Sequence, residues 1–68
     1  MTSSVRVNGT TWEGPADATV AALVDRWCVS AQGIAVARNG EVVPKSRWGR
    51  TVLSGGDRVE IVSAAAGG

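Results

Sequence analysis

Val20, Leu23, Val24 and Trp27 stand at i, i+3, i+4 and i+7 of the single stretch in this 68-residue chain whose apolar residues follow a helical period. Thr19, immediately before them, is a residue type that caps helix N-termini with its hydroxyl. The remaining apolar segments read as strands, so the chain must bury one amphipathic helix against a sheet. A chain this short buries only about 60% of its unfolded surface and supports one core. Burying the four helix side chains is worth roughly 1.5 to 3 kcal/mol each before conformational entropy is set against it.

The strands come in hairpins marked by turn dipeptides. Val5 and Val7 flank Arg6, Asn8-Gly9 suits the positive φ angles of a type I′ turn, and Thr10-Thr11-Trp12 follows with β-favouring side chains. Gly14-Pro15 reads as the end of that hairpin. After the helix, Gly33 closes a connection and Ile34-Ala35-Val36-Ala37 alternates up to a second turn at Asn39-Gly40. Glu41-Val42-Val43 is a short strand stopped by Pro44, and Lys45-Ser46-Arg47-Trp48 suits a polar turn or 3₁₀ segment with Trp48 folded inward. Ser54-Gly55-Gly56-Asp57 is a turn, after which Arg58 to Val62 alternates again, with Val59 and Ile61 on one side.

The order strand, strand, helix, strand, short strand, strand predicts an α+β layer with one helix packed on a mixed sheet of four to five strands. Pairing the first and last strands in parallel at the sheet centre covers both, which gives the β-grasp, or ubiquitin-like, topology. The expected core is Val5, Val7, Val20, Leu23, Val24, Trp27, Ile34, Val36, Val59 and Ile61. Residues 1–62 then form the domain. Residues 63–68, Ser-Ala-Ala-Ala-Gly-Gly, have no bulky side chain to offset the entropy of ordering them and are expected to be a flexible tail.

Composition narrows the chemistry. There is no His, and the single Cys28 leaves no internal disulfide, zinc knuckle or CxxC redox pair. Without a base beside it, Cys28 at the end of an apolar stripe reads as structural. The seven Lys and Arg against six Asp and Glu give a net charge of +1, which announces neither a nucleic acid nor a membrane as partner. The opening residues carry no long apolar segment, and the longest apolar run, Val20 to Val24, is far short of a span, so a cytoplasmic location is expected. No catalytic residue, metal site or self-bound cofactor is expected. Gly67-Gly68 stands out, since a terminal glycine pair arises by chance in roughly one chain in 200 at average composition.

These features together resemble a known family. Val5-Arg6-Val7-Asn8-Gly9, Thr19-Val20 followed by Leu23, Asn39 to Pro44 with Trp48 four further on, Gly56 to Ile61, and Gly67-Gly68 look like the ThiS family, the sulfur carrier proteins of thiamine biosynthesis. The resemblance implies a carrier and not an enzyme, with Gly68 as the residue that is adenylated and converted to a thiocarboxylate. It implies that Ala66 and Gly67 carry Gly68 into another enzyme's active site. The implied partners are a ThiF- or MoeB-like adenylyltransferase using ATP and Mg²⁺, a sulfur donor such as a cysteine desulfurase or a rhodanese-type protein, and the thiazole synthase ThiG.

Two rival readings share these residues. A carrier for molybdopterin or cysteine synthesis would have the same fold and tail, differing in the downstream enzyme. A basic RNA-binding β-grasp module would use Lys45, Arg47 and Arg50 on phosphates. Strand alternation adds a docking expectation. If Ile34, Val36, Val59 and Ile61 face the helix, then Ala35, Ala37, Arg58, Glu60 and Val62 form an outward face that a partner protein can approach closely.

Overall fold

The structure, a computed structural model, describes residues 2–27 and 33–63. Strands β1 (Thr2–Val7) and β2 (Thr10–Pro15) form the first hairpin, followed by helix α1 (Val20–Trp27). Strands β3 (Ile34–Arg38) and β4 (Glu41–Val43) form the second hairpin, a 3₁₀ helix covers Lys45–Arg50, and β5 (Arg58–Ser63) comes last. The five strands lie in the order β2-β1-β5-β3-β4. β1 and β5 are parallel, and every other pairing is antiparallel. This is the β-grasp arrangement expected from the element order, with five strands.

Both hairpins turn on the dipeptide expected of them. Asn8 and Gly9 have φ of 51° and 84°, and Asn39 and Gly40 have 52° and 87°. The left-handed region tolerates Asn and Gly far better than other residues, so each turn fixes its strand register locally. α1 starts where Thr19 Oγ1 accepts the Ala22 N–H at 3.2 Å. The preceding segment is held by a short antiparallel bridge, in which Val20 N–H donates to the Thr51 carbonyl and Leu53 N–H to the Ala18 carbonyl.

The core lies on one face of the sheet. Val5, Val7, Val20, Leu23, Val24, Val36, Trp48, Leu53, Val59 and Ile61 form one buried cluster, with Ile34 half-buried against it. Trp27 departs from expectation at 37% exposed. In a helix of eight residues the i+7 position is the last one, and Trp48 supplies the core's aromatic bulk in its place. Trp48 is buried with its Nε1–H donating to the Val43 carbonyl at 2.9 Å, which satisfies its one polar group. Leu53 is 1% exposed and belongs to the same cluster.

Gly14-Pro15 also departs from its reading as a break, since β2 runs through both residues. β2 is an edge strand, where Pro is tolerated because it has no ladder bond to donate on its open side. The Trp12 ring lies over Gly14, so a Cβ at that position would have to displace the ring. Cys28 and residues 64–68, including Ala66, Gly67 and Gly68, lie outside the described residues.

A domain of this size has a total stability of about 3 to 10 kcal/mol. Leu23→Ala, which empties a fully buried site, should cost about 3 kcal/mol of that, whereas Trp27→Ala should cost about 1 kcal/mol or less. Urea unfolding of the two variants checks the ranking; equal losses would contradict the placement of Trp27.

Candidate functional site

Among the described residues one sheet face has no covering layer, and this open face carries the five residues that the sequence placed together. Ala35 pairs with Val62 and Ala37 with Glu60 across β3 and β5, and Arg58 lies two residues before Glu60. Ala35, Arg58, Glu60 and Val62 are exposed and Ala37 is half-buried. β4 adds Val42 opposite Ala37, and β1 adds Arg6 opposite Arg58; neither was singled out from sequence as part of this face. Val42 and Val62 are 73% and 59% exposed, so the β3–β4 half of the face is apolar and the β1 half is charged. Alternation alone placed these residues outward; pairing register, which single strands do not reveal, was needed to make them neighbours.

β5 reaches Ser63 opposite Ile34, and residues 64–68 follow from there. The approach to that point is fixed from the β1 side by a side chain. β1 pairs with β5 only at Arg6–Arg58 and Val7–Val59, after which the chain turns away. Asn8 N–H still donates to the Val59 carbonyl at 2.9 Å. The Asn8 side chain then takes over: Ile61 N–H donates to its Oδ1 at 2.8 Å, and its Nδ2 donates to the Ile61 carbonyl at 3.1 Å. One amide thus imitates the peptide that β1 no longer supplies. The Asn-Gly signal in the sequence indicated a turn at Asn8 and gave no sign of this second role.

The other end of β5 is held by Asp57, a buried carboxylate with every oxygen engaged. Its Oδ2 accepts from Arg38 Nε at 2.7 Å and from the Ser54 N–H at 2.8 Å, and its Oδ1 accepts from Asn39 Nδ2 at 3.0 Å. Asn39 Oδ1 in turn accepts the Arg58 N–H at 2.9 Å. Burial by itself pushes the Asp57 carboxyl up, but the hydrogen bonds from Ser54, Arg38 and Asn39 and the Arg38 charge together hold it below the ordinary carboxylate value. Lys45, Arg47 and Arg50 are exposed on the 3₁₀ helix, while Trp48 among them points inward. Among the described residues no three acidic or Cys side chains converge as metal ligands would, and no helix is long and apolar enough to cross a membrane.

One helix on a five-stranded mixed sheet, with a parallel junction of first and last strands at its centre, defines a β-grasp domain of the ubiquitin type. The model of the ThiS family matches residues 5–68. The chain belongs to the ThiS family. A solved structure, the thiamine biosynthesis protein (ThiS) from Geobacter metallireducens, superposes with a TM-score of 0.77 at 27% identity, covering 87% of this chain and 90% of that one. A thiazole synthase of Paramagnetospirillum magneticum is 39% identical over 62 residues, which is 91% of this chain and 19% of that protein. The chain therefore spans about a fifth of the length of that curated relative.

A carboxyl group with a depressed folded value stabilises fully above its unfolded value, near 3.9, and loses that contribution as pH falls through the folded value. Asp57→Asn should cost about 2 kcal/mol at neutral pH by removing the charge that Arg38 and the Ser54 N–H address. It should also flatten the fall of stability below about pH 4. Thermal unfolding of both proteins across pH 2 to 7 measures this, and parallel curves would contradict it.

Proposed function

We propose that this chain carries sulfur as a thiocarboxylate on Gly68 and delivers it for formation of the thiazole ring of thiamine. The observation that carries the reading is the family match over residues 5–68, which runs through Gly67-Gly68 beyond the β-grasp body. A carboxylate at neutral pH is a poor electrophile, so attachment of sulfur needs prior activation. In this reading a ThiF- or MoeB-like adenylyltransferase uses ATP and Mg²⁺ to form the Gly68 acyl-adenylate with release of pyrophosphate. The outer sulfur of a persulfide, as a cysteine desulfurase carries, then attacks the Gly68 carbonyl and displaces AMP, and a thiol reductant cleaves the resulting S–S bond, leaving the thiocarboxylate and a disulfide. The catalytic groups belong to these partners, and this chain supplies shape, reach and the terminal carbonyl.

Geometry supports the division of labour. Six residues beyond Val62 span about 20 Å at roughly 3.3 Å each, enough to enter a narrow channel while the body stays outside. Gly67 lacks a Cβ and Gly68 presents its carboxylate without side-chain obstruction, with Ala66 the last small residue before them. The open face, with Ala35, Ala37, Arg58, Glu60 and Val62, is the proposed docking surface for both the activating enzyme and the thiazole synthase. Support for the second of these comes from the thiazole synthase relative, in which a segment resembling this chain occupies about a fifth of one polypeptide. The RNA-binding reading loses its stacking element, because Trp48 is buried beneath the basic cluster of Lys45, Arg47 and Arg50.

Incubation with ATP, Mg²⁺, a cognate adenylyltransferase and a sulfur source, followed by intact mass measurement, tests the chemistry. The expected result is a gain equal to one oxygen replaced by sulfur, localised to Gly68 and abolished by its deletion. Gly67→Ala or Gly68→Ala should slow charging by about 10- to 100-fold with the fold unchanged. An inert terminus beside an enzyme that charges its own carrier would refute the proposal.

Docking has its own test. Ala37→Asp or Val62→Asp should weaken binding of the adenylyltransferase by about 10-fold, equivalent to about 1.4 kcal/mol, while the thermal midpoint stays nearly constant. Undiminished binding would remove the open face from the mechanism.

A further inference from the structure

Arg6 and Arg58 are directly opposite one another across the parallel junction of β1 and β5. Val5, Val7 and Val59 are buried, so both arginines stand on the open face, and both are exposed. Among the described residues the one ion pair is Arg38 with Asp57, and Asp57 has its oxygens committed to Arg38, Asn39 and Ser54. Like charges directly opposite on a sheet destabilise it, so folding alone gives no account of this pair. A hollow of about 350 Å³ lies to one side, lined by Arg6, Arg58 and Glu60 with Asn8, Gly9 and Gly40. A second of about 340 Å³ is lined by the same two arginines, with Thr11, Gly56 and Asp57, whose carboxylate is already engaged by Arg38, Asn39 and Ser54.

We infer that Arg6 and Arg58 form a two-arginine clamp for a side-chain carboxylate of the protein that docks on the open face. The inference rests on the docking reading above and adds the residue chemistry that orients the partner. Guanidinium groups are planar forks whose N–H donors match the two oxygens of a carboxylate, and two of them side by side bind it more strongly than a point charge would. The charged half adjoins the apolar half formed by Ala35, Ala37, Val42 and Val62. A partner seated on the apolar half therefore brings an acidic residue at its rim to the clamp. Glu60 decides between a protein and an extended polyanion. It faces the same hollow two residues along β5 and repels a run of phosphates, whereas one carboxylate with neutral or basic neighbours seats beside it.

Two measurements test the clamp. In the first, glutarate and inorganic phosphate are titrated separately into the wild-type chain while the arginine Nε–Hε resonances are followed by NMR. Arg6 and Arg58 should move together with one midpoint under glutarate, ahead of Arg47 and Arg50, which are exposed on the 3₁₀ helix. An equal response of all four overturns the clamp, and a stronger response of the pair to phosphate than to glutarate overturns the carboxylate assignment. In the second, Arg6→Gln, Arg58→Gln and the double variant are assayed for adenylyltransferase binding and for thermal midpoint. Each single change should weaken binding by about 10-fold, the double should be little weaker than either, and the midpoints should equal or exceed that of wild type. Unchanged affinity in the double variant, with Gly68 of the wild type still charged, overturns the clamp and leaves the carrier reading standing. Wild-type protein that is never charged overturns the carrier reading, and the glutarate titration then decides the clamp by itself.

Discussion

The parallel junction between β1 and β5 is the contact on which the rest of this domain depends, and it is short. Two residue pairs, Arg6–Arg58 and Val7–Val59, are all that the two strands share in register. Val7 and Val59 point from it into the core, where α1 covers them with Val20, Leu23 and Val24. A junction this small is held because its ends are extended by other means. At one end the Asn8 side chain bonds both polar groups of the Ile61 peptide; at the other, Asp57 and Asn39 tie the start of β5 to Ser54 and Arg38. Most of these bonds join residues far apart in sequence, but Asn8 and Asn39 are already fixed by their tight turns, so little further freedom is lost in forming them.

This arrangement gives the two faces of a single sheet different contents. The helix side holds the apolar cluster and Trp48, and the open side holds alanines, exposed valines and charged residues. β5 belongs to both, since Val59 and Ile61 point into the core while Arg58, Glu60 and Val62 face away. The same strand leads to the segment that ends in Gly67-Gly68. A partner that reads the open side of β5 thereby registers itself against the strand from which the terminus continues.

Much of this was legible in the sequence, for identifiable reasons. Asn8-Gly9 and Asn39-Gly40 require a left-handed backbone that few residues accept, and the period-two pattern of β3 and β5 assigns each side chain to a face. Helix periodicity found Val20, Leu23 and Val24 but overreached at Trp27, where the helix ends. Leu53 was invisible because it sits alone after Val52 in an irregular segment, and its burial comes from the bridge to Ala18 and Val20. Asp57 and Asn8 read as turn residues because their tertiary bonds reach partners 18 or 19 residues away in one case and 53 in the other. Arg6 became part of the candidate site only through its register with Arg58.

The two edges of the sheet bear on how such a domain behaves among many copies of itself. β4 offers three residues before Pro44, and β2 runs into Gly14 and Pro15 beside the Trp12 ring. Proline has no N–H to give a neighbouring strand, and a three-residue edge templates only a brief ladder. Edge-to-edge polymerisation therefore has little to grow from, although Val42 and Val62 stand in water. Their stickiness is confined to a face, where contact must be made by a complementary surface, and is kept off the rims, where any extended peptide would serve.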